Sequence, residues 1–165
     1  MPLIKHDIAT GHYEVIADDD WTFIESGSVL TKDMDKIVVP KDRLQEAFDL
    51  ESENIGVFLN SSDPVEDIAD VMTSINMVVI DFPSFTDGRG FSTARRLRNG
   101  LKFSGEIRAV GHVIRDQFAH LVRCGFDAVE IRRKSDIENW DKAVSRFNIA
   151  YQPAFDNRPW VELLR

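Results

Sequence analysis

Four stretches of this chain share one arrangement, an apolar run followed by an amphipathic segment. They begin at Ile55, Met77, Glu106 and Phe126, about twenty residues apart. That spacing is too long for a hairpin and long enough for a helical crossover, so it predicts parallel strands. Met77-Val78-Val79-Ile80-Asp81 is almost continuously apolar, which suits a strand covered on both faces. The fold class is therefore α/β, a parallel sheet of β/α units. An open sheet is the first expectation and half of a β/α barrel the alternative, because one sequence pattern serves both.

The flanking segments are shorter. Tyr13–Ile16 and Trp21–Ile24 read as strands separated by Ala17-Asp18-Asp19-Asp20. The acidic triplet lacks the spacing of a calcium loop and reads as a solvated turn. Lys36–Pro40 is a strand that the proline stops, and Lys41–Ser52 a short helix carrying Leu44, Ala47 and Phe48 on one face. Asp63-Pro64 is a helix start, with Asp63 as N-cap and Glu66 completing a capping box, ahead of the apolar face Val65, Ile68, Ala69 and Met72. Phe91, Ala94 and Leu97 mark a helix ending near Asn99-Gly100, and Val113–Cys124 another that Gly125 stops. Ser135–Phe147 is the last helix, with Ile137, Trp140 and Val144 as its buried stripe. The chain divides into an N-terminal extension with short strands (1–36), an α/β core (37–150) and a C-terminal arm (151–165) that covers the core or a neighbouring subunit, leaving homo-oligomerisation open.

Composition bounds the function classes. A chain of 165 residues with 43% hydrophobic and 29% charged residues supports one ordinary core rather than a disordered chain. No apolar run approaches the ~18 residues of a membrane span, and residues 1–20 lack a signal-peptide pattern. The expectation is a soluble, cytoplasmic protein. A lone Cys124 rules out an internal disulfide or a cysteine-cluster metal site, and reads as a buried structural thiol. His6 and His12 match no metal spacing. The net charge of −8 argues against nucleic acid as a partner. Its distribution is uneven: residues 1–88 hold 19 acids and 5 bases, a balance of −14, and residues 89–165 hold 9 acids and 15 bases, a balance of +6. Such asymmetry marks either a partner or anion surface, or two halves that neutralise each other across their contact.

Ligands of parallel α/β folds bind beyond the carboxyl ends of the strands. The loops on that edge are Asn60–Asp63, Phe82–Gly90, Gly111–Asp116 and Arg132–Ser135. They bring together Asp81, Thr86, Asp87, Arg89, Ser92, His112, Arg115, Asp116 and the Arg132-Arg133-Lys134 cluster. Asp87-Gly88-Arg89-Gly90 has two readings. In one it is a capped turn with a glycine in left-handed conformation. In the other, Thr86, Asp87, Gly88, Arg89, Gly90, Ser92, Arg115 and Asp116 hold an anionic ligand at a helix N-terminus. It fails as a nucleotide fingerprint, since no third glycine stands at the required spacing and no Walker lysine is present. His112 and Asp87 are the candidate acid–base groups. Gln117 is placed to bond backbone in the neighbouring loop. Arg95, Arg96 and Arg98 read as a solvated helix face. Glu106 and Arg108 share one strand face and need partners: either an ion-pair network with Asp116 or the Arg95 helix, which is the first expectation, or ligand groups that the pair orients.

Three motifs carry a resemblance: FPSFTDGRGFSTARRLR at 82–98, GEIRAVGHVIRDQ at 105–117, and RCGFDA at 123–128. In these the chain resembles a bacterial family of unknown function, most specifically over residues 77–131. Genes of that family often neighbour those of assimilatory sulfite reduction, and its members carry the label of an oxidoreductase in that process. The resemblance thus implies an accessory role in sulfur assimilation, with sulfite reductase components as partners. It carries over no catalytic residues. The residues themselves hold no complete dinucleotide fingerprint and no cluster-ligand set. No cofactor is evident; redox chemistry would call for a bound flavin, with its phosphate at Asp87–Ser92, or a partner that holds the cofactor. An enzyme acting on a small anionic or phosphorylated substrate, and a purely structural interaction module, are the other expectations.

Overall fold

The computed structural model describes residues 2–7, 13–131 and 154–155. One eight-stranded sheet holds β1 (Leu3–His6), β2 (Tyr13–Ile16), β3 (Thr22–Phe23), β4 (Lys36–Pro40), β5 (Asn54–Leu59), β6 (Met77–Phe82), β7 (Glu106–Gly111) and β8 (Ala128–Glu130). The spatial order is β2-β1-β8-β7-β6-β5-β4-β3. From β3 to β8 every neighbouring pair is parallel and sequential; β1 then pairs antiparallel with β8 and β2 antiparallel with β1. The half-barrel is the form adopted, a curled sheet of mostly parallel strands. Strand β1 has no signature in the sequence: Leu3-Ile4-Lys5-His6 is too short to show alternation, and only its place between β8 and β2 makes it a strand.

The chain itself forces the curl. Strands β2 and β3 lie at opposite edges of the sheet, yet only Ala17–Trp21 join them. Six residue spacings reach at most about 21 Å, whereas seven strand gaps laid flat would span about 34 Å. The 17–21 segment is therefore a strap across the concave face, and the sheet closes beneath it.

Side-chain alternation sorts the two faces. Ile37, Val39, Ile55, Val57, Leu59, Val78, Ile80, Phe82, Ile107, Ala109 and Val129 form the main core with the helices α1 (Leu44–Asp49), α2 (Arg89–Arg95) and α3 (Phe118–Cys124). The concave face carries a smaller cluster, Val38, Met77, Val79 and Val110, with Trp21 and Phe58 against it. Helix α2 runs on through a π turn, Arg96–Gly100, so it ends where the sequence predicts. Val65–Val71 is a 3-10 helix rather than an α-helix. Asp63 does not cap it: its carboxylate accepts from the backbone N–H and the side-chain amide of Asn60, 2.7 and 3.0 Å away, and Glu66 pairs with Arg96 instead. Ser135–Phe147 and Arg132-Arg133-Lys134 lie outside the described residues, as does most of the C-terminal arm.

Candidate functional site

The loops after β5, β6 and β7 meet at one edge, and the Asp87 carboxylate joins two of them. Arg89 donates to it three times: from the backbone N–H (3.1 Å) and Nε (3.0 Å) to Oδ1, and from Nη2 to Oδ2 (2.7 Å). Buried Ser61, in the loop after β5, donates its Oγ–H to Oδ2 at 2.7 Å, and Arg89 Nη2 lies 3.1 Å from the same hydroxyl. Hydrogen bonds from Arg89 and then Ser61 hold the Asp87 carboxyl far below its ordinary value. Asp87 is thereby a clamp and a poor proton acceptor near neutral pH. Arg89 keeps an exposed flank, with 61% of its side chain accessible.

The glycines do different work from that expected. Gly88 sits at φ −87° and ψ 0°, not in the left-handed region. Gly90 is needed for close approach: a Cβ there would stand 2.6 Å from Cζ of Phe82. The positive φ belongs to Gly111 at the end of β7, where a Cβ would meet the Asp81 carboxylate and the Phe82 carbonyl at 2.5 and 2.6 Å. That turn lets the His112 N–H donate to the Phe82 carbonyl at 2.7 Å, drawing the loop after β7 onto the end of β6.

Gln117 completes the join, as its position predicts. Its amide donates to the Phe85 carbonyl (2.9 Å) and accepts from the Ile114 N–H (3.2 Å). The loops it ties each present an exposed apolar side chain, Phe85 at 58% and Ile114 at 44% accessibility. His112, Arg115, Asp116 and Ser92 are exposed, and Arg115 lies 3.5 Å from Asp116. Exposed Thr86 bonds the Ser84 hydroxyl at 2.9 Å. The result is an open edge of apolar side chains and ion-paired arginines.

Two arginines read differently in three dimensions. Arg98 is buried, not part of a solvated face. Its Nε donates to the Gly125 carbonyl (3.0 Å), Nη1 to the carbonyls of Phe103 and Gly105 (2.7 Å each), and Nη2 to Asp127, which also accepts from the Ile107 N–H at 2.7 Å. Phe103 and Phe155 stack on it at 5.8 and 5.2 Å. Burial lowers the Arg98 pKa and raises that of Asp127, and their contact opposes both shifts. This hub draws together residues of the RLR, GEIRA and RCGFDA motifs at the amino ends of β7 and β8, the edge of such folds that serves stability. A signal for it was available: Arg98 continues the buried stripe of Gly90, Thr93, Ala94 and Leu97, while Arg95 and Arg96 fall outside it. Arg108 and Glu106 do form an ion-pair network, but with Asp19 and Lys5 rather than Asp116 or the α2 arginines. The acidic triplet is thus not simply a solvated turn. Cys124 is buried, and burial raises its thiol pKa.

Among the described residues, no group of three or more His, Cys, Asp or Glu is placed to hold a metal ion, and no helix is long and apolar enough to cross a membrane. No curated protein matches the sequence. Residues 56–161 match the family model described as bacterial protein of unknown function (DUF934), and the chain belongs to that family.

Proposed function

We propose that this member of the DUF934 family is an accessory protein of assimilatory sulfite reduction, and that its strand C-terminal edge docks an acidic surface of a sulfite reductase component. The observation that carries the docking is that exposed Phe85 and Ile114 stand on loops fixed together by Gln117, with Arg89, His112 and Arg115 exposed on the loops of the same edge. Apolar anchors on loops joined to each other, with the exposed flank of Arg89 and the Arg115 guanidinium on the same edge, suit a partner surface that sets carboxylates around an apolar patch. The motif resemblance supports the sulfur-assimilation context. Asp87 is committed to its clamp, which weighs against the enzyme reading that uses it as acid–base group.

The test is retention of sulfite reductase components on the immobilised full chain from a sulfate-grown bacterial lysate. Phe85→Ser with Ile114→Ser, and separately Arg115→Glu, are expected to lose those components while melting at the wild-type temperature. Retention of none by the wild type, or unchanged retention by the variants, counts against the reading. A flavin spectrum in the purified protein would instead support an oxidoreductase.

A further inference from the structure

Arg108 is the feature the docking edge does not use. It stands on β7 with Glu106 and Val110 on the concave face, while Ile107 and Ala109 face the helices. Only 2% of it is accessible. Its Nε and Nη2 donate to one oxygen of Glu106 at 3.0 and 2.8 Å. The other Glu106 oxygen takes Lys5 Nζ at 2.6 Å. The remaining side of the guanidinium faces Asp19, with Nη1 on Oδ2 and Nη2 at 3.3 Å from Oδ1. Charges therefore alternate along Lys5, Glu106, Arg108 and Asp19.

The members of this line are not equivalent. Lys5, Glu106 and Arg108 are fixed by the ladders of β1 and β7. Asp19 comes from the strap, which has no helix or strand of its own and is exposed at residues 17, 18 and 20. The strap is anchored otherwise by Trp21 against Gly56 and by Asp20 on Lys36, at 3.1 Å. A buried ion pair is a weak way to stabilise a fold, since apolar residues of similar volume usually serve as well. Val79, the β6 neighbour of Arg108, and Met77, the neighbour of Glu106, are just such residues. The two-oxygen, two-nitrogen contact is, by contrast, the geometry with which arginine recognises carboxylates and oxyanions.

We infer that Arg108 is the seat of a second, concave-face site for a small oxyanion, and that Asp19 is an internal stand-in which the ligand displaces as the strap lifts. Without Asp19, the side chains of the line leave one net positive charge, Lys5 and Arg108 against Glu106. The incoming group presents two oxygens to Nη1 and Nη2, as the carboxylate does; sulfate, phosphate and a simple carboxylate all satisfy this. The lifted strap would uncover the apolar rim of Phe58 and Val110 on the same face. This site is separate from the docking edge, so either can fail without the other.

Chemical rescue tests it in the full chain. Asp19→Ala is titrated with sulfate, phosphate and acetate, each against chloride at equal ionic strength, by calorimetry and thermal melting. The expected result is binding of at least one of these anions about tenfold tighter than by wild type, because the ligand no longer competes with Asp19. Adding Arg108→Gln to Asp19→Ala should abolish it. No anion-specific gain over chloride, or a gain that survives Arg108→Gln, would overturn the site. Should Asp19→Ala fail to fold, hydrogen exchange of the wild type decides: saturating sulfate, phosphate or acetate should accelerate exchange at residues 17–21 relative to chloride. Unchanged protection there with all three overturns the proposal.

Discussion

The Asp87 carboxylate accepts from Arg89 and Ser61 at once, and its ionisation is therefore coupled to folding. Its folded pKa lies below the ordinary 3.8, so its contribution to stability is fully present above the unfolded value. As pH falls below 3.8 the unfolded chain takes up the proton first, and the contribution fades toward the depressed folded value. Wild type should melt above Asp87→Asn at neutral pH, and the gap should narrow as pH drops through that acid window; thermal melts across the range check it. A gap that does not depend on pH would mean the carboxylate's charge is irrelevant to the clamp. Arg98 is a stronger case because it is buried and feeds three carbonyls and a carboxylate. Arg98→Met leaves Asp127 buried without its cation and should cost about 3–5 kcal/mol by urea denaturation. Arg98→Lys should recover little of this, since one ammonium cannot reproduce the guanidinium fork. The sequence picks out Arg89 by its glycine-flanked loop and Arg98 only by the helical stripe, and in neither case does it show which carboxylate the guanidinium will meet.

At the level of elements, α2 sets the height of the candidate edge. Its first turn rests on the Phe82 ring through Gly90, which is buried. Alanine in place of glycine within a helix ordinarily stabilises by roughly 0.5–1 kcal/mol. Here the added methyl would stand 2.6 Å from one ring carbon and 3.0 Å from two others, on a ring that also packs edge-on against Phe91. Gly90→Ala is expected to destabilise by about 1–3 kcal/mol, the range of overpacked cores. Denaturant melts measure it, and a neutral or stabilised variant would show that Phe82 swings aside without cost. The sequence located this strand–loop–helix unit correctly because apolar period and glycine punctuation are local signals. It placed a left-handed glycine in that loop, which the structure does not have, and it could not show that Gly90 is squeezed, because that depends on how closely a helix approaches a ring.

For the whole molecule, the half-barrel places β5, β6 and β7 centrally, whereas β2 and β3 end the sheet and the strap alone links those ends. Amide exchange should be slowest in β5–β7 and fastest in β2 and β3, since opening an edge exposes far less apolar surface; peptide-resolved exchange checks this, and equal protection throughout would mean the sheet opens only as a unit. The acidic and basic halves touch through Glu66–Arg96 and Asp19–Arg108, so part of the charge asymmetry is internal neutralisation. What the sequence determined by itself was the parallel α/β class, the core strands and the sharing of one carboxyl edge by the loops after β5, β6 and β7, all of which follow from the spacing of apolar runs and from connections too long for hairpins. The tertiary structure alone decided the curl of the sheet, the place of β1 in it, and the partners of Asp87, Arg98 and Arg108. Those are contacts between groups up to 89 residues apart, and periodicity along a chain carries no information about which distant charge will close a pair.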